Sequence, residues 1–304
     1  MALGDLMVDH EFGGQHTELK LSIVEGYLKA FTTALRPHFK NLWYVDAFAG
    51  TGSRTVRTES KGATLVEAPA DEVVEHRRGS AQIAIDIQPP FDFLVFIEKN
   101  ASYIAALNEL AANNLQRSIV VAKEDANTAL QRLVASNRWD NKRAVVFLDP
   151  YGMEVEWATL EALASTEAID VWFLFPLAGL FRQATRRLTN IDESKRAALT
   201  RMFGSSTWEE ELYPVENADL LGTIPERRRD LDPRGLESYV QKRLSTIFAK
   251  VLKPLALPVQ KGPQMFSLFL CISNKTPKAM ALAMNIGDHL LDPKRHLIKG
   301  ATTK

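Results

Sequence analysis

Cysteine is almost absent from this sequence: Cys271 is the single one among 304 residues. A disulfide framework requires pairs of cysteines and a cysteine-based zinc site requires several, so both are excluded. The six histidines are scattered along the chain and show no spacing typical of a metal site. We therefore predict that the protein has no metal centre.

An excess of one charge is missing too, because 37 basic residues balance 37 acidic ones. A nucleic-acid partner would therefore have to meet a local patch and not the whole surface. The longest uncharged apolar stretch, Val171 to Phe181, is too short to span a bilayer. The N-terminus carries early acids and lacks the apolar core of a signal peptide. These features predict a cytoplasmic protein with no membrane partner.

What the sequence does contain is an alternation of apolar segments with helical patterns. Strands are predicted at 42–48, 91–97, 118–121, 144–148, 168–175 and 265–272, and helices at 17–36, 81–87, 101–112, 126–136, 157–165, 236–251 and 277–290. Continuous apolar strands that alternate with helices are typical of a parallel sheet covered on both faces. The polar segment 53–67 has little periodicity, and we predict a loop over the site.

The alternation is interrupted at roughly residues 180–234, where charges are frequent, strand patterns vanish and prolines recur. We predict that the whole chain, 1–304, forms one domain and that 180–234 is a helical insertion within it. The insertion would serve as a substrate-binding subdomain.

The segment Tyr44-Val-Asp-Ala-Phe-Ala-Gly-Thr-Gly-Ser53 joins a predicted strand to a tight turn. Gly50 and Gly52 have no Cβ, so the backbone can turn sharply and approach a ligand closely. The dinucleotide fingerprint Gly-x-Gly-x-x-Gly is incomplete, since Phe48 stands in the place of its first glycine. The spacing favours S-adenosylmethionine (SAM) over a dinucleotide as the cofactor. The alternative is a plain connection between a strand and a helix.

Acidic residues follow four of the predicted strands: Asp46, Glu98, Asp125 and Asp149. Ligands of parallel sheets bind beyond the carboxyl ends of the strands, so we expect these acids near a ligand. Asp46 would hold a polar or cationic group of the cofactor. Glu98 would accept from two ribose hydroxyls, or else cap the next helix as a surface acid. Asp125, which precedes Ala126, would accept from the adenine amino group, or else act as the N-cap of its helix.

The tetrapeptide Asp149-Pro-Tyr-Gly152 is the second strong feature, and it also ends a predicted strand. Pro150 makes the turn rigid, and Tyr151 offers a flat face for stacking. Asp149 offers an acceptor for an amino group. We predict that these three residues are catalytic and position an amine for attack on an activated methyl group. The alternative is a structural turn, because Pro-Tyr-Gly is also good turn chemistry.

Basic residues supply further candidate substrate contacts. His16 and Lys20 lie four apart on the first predicted helix, where they would contact a phosphate or substrate, or else form a solvated face. Arg182 and Arg186 belong to the arginine clusters of the insertion, which also include Arg227-Arg-Arg229. Such clusters can follow a phosphate backbone. Surface ion pairs with the interleaved acids are the alternative.

Several short motifs occur in a specific order: His16-Thr-x-x-Lys20, Tyr27-Leu28, Tyr44 to Gly52, Gly79-Ser80, Phe96-Ile-Glu98 and Phe147 to Gly152. In this order the chain resembles the bacterial and phage three-Cys-motif partner proteins over most of its length. That family is named for a genomic neighbour, so the resemblance implies a protein partner encoded nearby, a three-Cys-motif protein. More distantly, the chain is similar to large-subunit ribosomal RNA adenine-N6 methyltransferases, which join a Gly-x-Gly strand end, a Gly-Ser-Pro turn and an Asp-Pro-Pro-Tyr motif.

The resemblance implies a class I SAM-methyltransferase-like α/β Rossmann fold with a mostly parallel, seven-stranded sheet. We assign cofactor contacts to the turn residues Phe48, Ala49, Gly50, Thr51 and Gly52, and a substrate contact to Ser80. The predicted function is SAM-dependent N-methylation of a nucleic-acid base, in RNA or DNA. Two alternatives stay open: a non-catalytic partner protein that keeps the fold, and a methyltransferase acting on a small molecule or peptide.

Overall fold

A mixed β-sheet organises the chain in the computed structural model, which describes residues 11–59, 72–215, 226–258 and 263–296, without the side chains of 11–16, 53–59 and 72–77. The strands are β1 Leu42–Asp46, β2 Ser53–Glu59, β3 Glu72–Arg78, β4 Phe93–Glu98, β5 Ile119–Lys123, β6 Arg143–Leu148, β7 Ile169–Phe175, β8 Lys250–Val251, β9 Leu255–Leu257 and β10 Phe266–Ile272. The helices are α1 Glu11–Leu35, α2 Ser80–Asp86, α3 Ala101–Ala112, α4 Ala126–Ala135, α5 Trp157–Ser165, α6 Leu177–Gln183, α7 Glu193–Phe203, α8 Trp208–Leu212, α9 Pro233–Leu244 and α10 Pro277–Leu291.

The strands of the main sheet follow the order β5-β4-β1-β6-β7-β10-β8, and β9 also pairs with β10. Strands β1, β4, β5, β6 and β7 are parallel, whereas β10 is antiparallel to β7. Since β7 occupies one side of β10, β8 and β9 share the other side, and the sheet is seven strands wide. This doubly wound sheet confirms the predicted α/β Rossmann-like fold with a mostly parallel, seven-stranded sheet.

The core forms two layers because successive strand residues point to opposite faces of the sheet. On β1, Leu42 and Tyr44 belong to the layer that includes residues of α1, α2 and α10, whereas Val45 belongs to the layer that includes residues of α4 to α9. All seven residues of β7 are buried. Helices on both faces explain why the central strands are continuously apolar in the sequence.

The first helix is longer than predicted, since α1 spans 25 residues. One face of it is buried on the sheet through Leu21, Val24, Leu28 and Phe31, at the spacing of a helix. Neither α1 nor any other helix of the described segments combines the length and the hydropathy that a membrane span requires.

The predicted loop at 53–67 is wrong for its first part, because 53–59 form strand β2. This strand pairs with β3 from Ser53↔Arg78 to Glu59↔Glu72, in a two-stranded sheet of its own. A hairpin that joins no larger sheet does not need the continuous apolar pattern of a buried strand. The rest of the predicted loop, 60–67, lies outside the described residues.

The predicted helix 236–251 is also wrong at its end. Helix α9 ends at Leu244, and Lys250–Val251 form β8 on the edge of β10. Phe248 and Val251 continue the apolar spacing of the helix and are buried, so periodicity alone did not reveal the break. Residues 250–251 form a strand because they pair with β10. The bond from Leu252 N to Leu270 O at 3.0 Å extends this pairing.

The segment between β7 and β8 is helical in its described parts, with α6 to α9 and a short 3-10 turn at Leu188–Asn190. Arg227 and Arg229 do not form a phosphate-facing cluster. Arg227 Nε donates to the Tyr213 carbonyl at 2.7 Å, and Arg229 Nε donates to the Ala184 carbonyl at 2.8 Å. These two guanidinium groups hold the segment together, because each satisfies buried main-chain acceptors.

Candidate functional site

The glycine turn follows β1 at the point where the strand order reverses between β1 and β6, which is where open α/β sheets bind ligands. Gly50 has φ +58° and Gly52 has φ +73°, in the left-handed region that favours glycine. A Cβ at Gly52 would lie 2.8 Å from Leu110 Cδ2, whereas a Cβ at Gly50 would meet nothing within 4 Å. Gly52 is therefore required by packing, and Gly50 faces open space.

Glu98, at the end of β4, forms hydrogen bonds that stabilise the glycine turn. Its Oε2 accepts from Gly50 N at 3.0 Å, and its Oε1 accepts from Lys99 N and Asn100 N at 2.8 Å each. The side chain is buried, so the alternative of a surface acid is wrong. Charge-assisted bonds of this kind stabilise the turn conformation. The contact of Glu98 with a ribose stays a prediction.

Asp125 is exposed and begins α4, where its Oδ1 accepts from Asn127 N at 2.9 Å and Thr128 N at 3.2 Å. The N-cap interpretation is therefore confirmed. The following residue, Ala126, is buried against the core. The structure does not bring Asp125 or Ala126 into the wall of the cleft described below, so their adenine contact stays a prediction.

Asp46 ends β1 and is fully buried beneath the turn. Burial raises the pKa of its carboxyl group to about 7, while hydrogen bonds from Ser80 and Phe48 act in the opposite direction. Its Oδ1 accepts from Phe48 N at 3.3 Å. Asp46 is thus enclosed under the turn and does not line the cleft.

A cleft of about 410 Å³ opens above the glycine turn and extends to the end of β6. Its lining residues come from eight parts of the chain: Thr17, Lys20 and Leu21 of α1; Phe48 to Gly52; Gly79 and Ser80; Tyr103; Asp149, Pro150 and Tyr151; Leu174; Leu257; and Phe266. Gly79 N donates to Gly52 O at 3.1 Å, which joins the start of α2 to the turn. The cleft has the size of a small-molecule site. It brings together the predicted cofactor turn and the predicted catalytic motif.

An ion pair between Lys20 and Asp149 crosses the cleft. Lys20 Nζ donates to Asp149 Oδ2, and the two side chains are 10% and 26% exposed. The partners are 129 residues apart in sequence and meet because α1 packs across the sheet. Lys20 therefore lies within the site, and the alternative of a solvated helix face is wrong for this residue.

The other two residues of the predicted catalytic motif differ in exposure. Pro150 is buried, whereas Tyr151 is 73% exposed. Tyr151 N donates to Glu154 Oε2 at 3.2 Å, and Lys99 Nζ pairs with Glu154 Oε1 at 2.6 Å. Glu154 thus stabilises the turn through bonds to Tyr151 N and to Lys99, while the tyrosine ring stays exposed to solvent.

The other predicted substrate contacts are His16, Arg182 and Arg186. The side chain of His16 lies outside the described residues. Arg182 and Arg186 are exposed on the segment after β7 and do not line the cleft. Their contact with a substrate stays a prediction.

Some lining residues escaped the sequence reasoning. Tyr103 lies in the first turn of α3, directly after the end of β4. Because this helix follows a strand that ends at an acidic residue, the sequence could have indicated that Tyr103 lies near the ligand. Leu174 lies in β7, Leu257 in β9 and Phe266 in β10, which are the strands beyond β6 in the sheet. An apolar residue in a strand gives no local sign that it faces a ligand.

No protein-family model and no curated protein matches this sequence. Among solved structures, the chain is similar to protein LPL1258 of Legionella pneumophila at 12% identity, covering 90% of this chain and 93% of that one, with a TM-score of 0.46. It is similar to M. jannaschii TYW2 in complex with AdoMet at 11% identity, covering 84% and 74%, with a TM-score of 0.33. The plantazolicin methyltransferase BpumL in complex with SAH shares 9% identity, with 86% and 87% covered and a TM-score of 0.32. Similarity at this level assigns no function.

Proposed function

We propose that the protein is a SAM-dependent methyltransferase that acts on a nitrogen atom of a nucleic-acid base. The observation that carries the proposal is the single cleft lined both by the glycine turn and by Asp149, Pro150 and Tyr151. A cofactor on the turn and an acceptor at Asp149 would therefore share one space. Most of the rate of methyl transfer comes from such alignment.

The residues of the turn fit SAM in shape. Gly50 faces open space, so the backbone can approach the cofactor closely, and Glu98 holds the turn in this conformation. Phe48, Ala49 and Thr51 line the same cleft. Bound SAM supplies an activated methyl group. The protein's part is to orient the acceptor and to exclude competing water.

Asp149 and Tyr151 would orient the acceptor amine. Lys20 engages Oδ2 of Asp149, and the carboxylate would also accept a hydrogen bond from the amine. The Pro150 carbonyl would be a second acceptor, and the exposed Tyr151 ring would stack on the base. A base inside a duplex would have to be flipped out to reach these groups.

The resemblance to the three-Cys-motif partner proteins and to the ribosomal RNA adenine-N6 methyltransferases supports a nucleic-acid substrate, RNA or DNA. It also supports a protein partner encoded nearby. The exposed Arg182 and Arg186 would supply phosphate contacts beyond the cleft.

Two measurements test the proposal. Calorimetry of the purified protein should show SAM binding, and radiolabelled SAM should transfer its methyl group to an RNA or DNA pool. Asp149→Asn should lose most of the transfer and keep SAM affinity within about twofold, because Asp149 lies at the acceptor end of the cleft. Asp140→Asn is the matched control, since that side chain is 78% exposed and pairs with Arg138, outside the cleft.

Other results would favour the alternatives. Labelling of a peptide or small-molecule pool alone would identify a different substrate class. Binding of SAM with no labelled pool, together with an unchanged biological readout in Asp149→Asn, would support a non-catalytic partner protein. Absence of SAM binding would refute the proposal itself.

A further inference from the structure

A second cavity lies at the opposite end of the sheet from the cofactor cleft. It has a volume of about 350 Å³ and lies between α1, α10 and the amino ends of β6 and β7. Most of its wall is apolar and includes Phe31, Leu35, Phe39, Ile272, Leu282 and Ile286. This size and lining are typical of small-molecule sites.

A buried carboxylate forms the floor of this cavity. Asp170 is 9% exposed, and its Oδ2 accepts from the Tyr27 hydroxyl at 2.7 Å. Asp170 also lines the cavity. A carboxylate has two oxygens and about four lone-pair sites, so Asp170 can accept a further hydrogen bond from a donor in the cavity.

The charged residues around the cavity determine which net charge of a ligand is favoured. Arg143, Lys278 and His38 also line it, and they disfavour a cation. The Arg143 guanidinium lies over the Phe39 ring at 4.4 Å and donates to main-chain carbonyls, so it is already engaged. An anion would be repelled by Asp170. A neutral molecule avoids both penalties.

The cavity and the cleft are separate sites. Tyr27 and Trp172 lie between them, with ring centroids 5.3 Å apart in an edge-to-face contact. On β7, Asp170 lines the cavity and Leu174 lines the cleft on the same face, four residues or about 13 Å further along the strand. A ligand at Asp170 therefore does not occupy the place of SAM.

We propose that this second cavity binds a neutral, mainly apolar small molecule whose N–H or O–H group donates to Asp170. The apolar body would fill the space between α1 and α10, and the single donor would bond to the Asp170 carboxylate. The site does not depend on methyltransferase activity, because none of its groups belongs to the cofactor cleft.

Matched pairs of probes test this site in the full-length protein. Indole and 1-methylindole differ by one N–H donor, and phenol and anisole differ by one O–H donor. In ligand-observed NMR titrations, the donor of at least one pair should bind at least tenfold more tightly than its methylated partner. In Asp170→Asn, the amide oxygen can keep the Tyr27 bond while its NH₂ group faces the cavity, so this preference should disappear.

A second variant locates the binding. Ala279 is half-buried on α10 and lines the cavity, so Ala279→Phe should fill the space and weaken probe binding at least tenfold. Three outcomes would each overturn the proposal: no probe binds the wild type, both members of each pair bind equally, or Ala279→Phe binds as the wild type does. Thermal melting of both variants checks that they are folded.

Discussion

Replacing Asp46 by asparagine should remove one pH dependence of folding stability. The carboxyl pKa is about 7 in the folded protein because of burial, against an ordinary value of 3.8. At pH values between about 4 and about 7, the Asp46 carboxyl group is protonated in the folded protein and ionised in the unfolded chain. Stability therefore falls as pH rises from about 4 to about 7, and this contribution stays constant above pH 7.

The magnitude follows from the size of the pKa shift. Each pH unit inside this window corresponds to about 1.4 kcal/mol. Between pH 5 and pH 7 the Asp46 carboxyl should therefore cost the wild type about 2 kcal/mol, after allowance for partial titration at pH 7. Asp170, whose pKa burial raises to about 6, acts in the same direction. The difference between the wild type and Asp46→Asn isolates Asp46.

Urea unfolding at pH 5, 6, 7 and 8 measures the effect. The free energy of unfolding of Asp46→Asn minus that of the wild type should increase by about 2 kcal/mol from pH 5 to pH 7 and then level off. The amide oxygen can still accept from Phe48 N, which limits other changes. The exposed Asp140→Asn should follow the wild type at every pH. A pH-independent difference for Asp46→Asn would refute the reasoning.

The ion pair and the glycine turn give further predictions. Lys20→Met should reduce methyl transfer at least tenfold and leave SAM affinity within about twofold in calorimetry, because Lys20 contacts Asp149 at the acceptor end; wild-type transfer in this variant would contradict that role. Gly52→Ala should lower the free energy of urea unfolding by about 2 kcal/mol or more, since positive φ and the contact with Leu110 both oppose a side chain. Gly50→Ala should cost only about 1 kcal/mol and weaken SAM binding, since its Cβ meets only open space; equal destabilisation by the two alanines would argue against this description of the turn.

The five parallel strands of the main sheet and β10 could be predicted closely from the sequence, whereas the short strands β8 and β9 could not. Buried strands such as β4, β6 and β7 need continuous apolar residues, and this requirement is local. The two glycines with positive φ could be located for the same reason, since few other residues adopt that conformation. The acids at the strand ends follow from the strands, because parallel strands place their carboxyl ends on one edge of the sheet.

Other features depend on contacts between distant parts of the chain. Nothing near Lys20 in the sequence indicates that it pairs with Asp149, and nothing near Glu98 indicates that it holds Gly50. The hairpin β2–β3 and the short strand β8 were missed because their pairing partners, and not their own periodicity, stabilise them.

The sequence by itself thus determined the sheet, the glycine turn and the edge on which ligands would bind, since these depend on local backbone preference and residue-by-residue burial. Only the tertiary structure decided which charges meet in the cleft and where Asp170 faces a second cavity. Those choices come from the packing of α1 across the sheet, and packing joins residues that no local pattern connects.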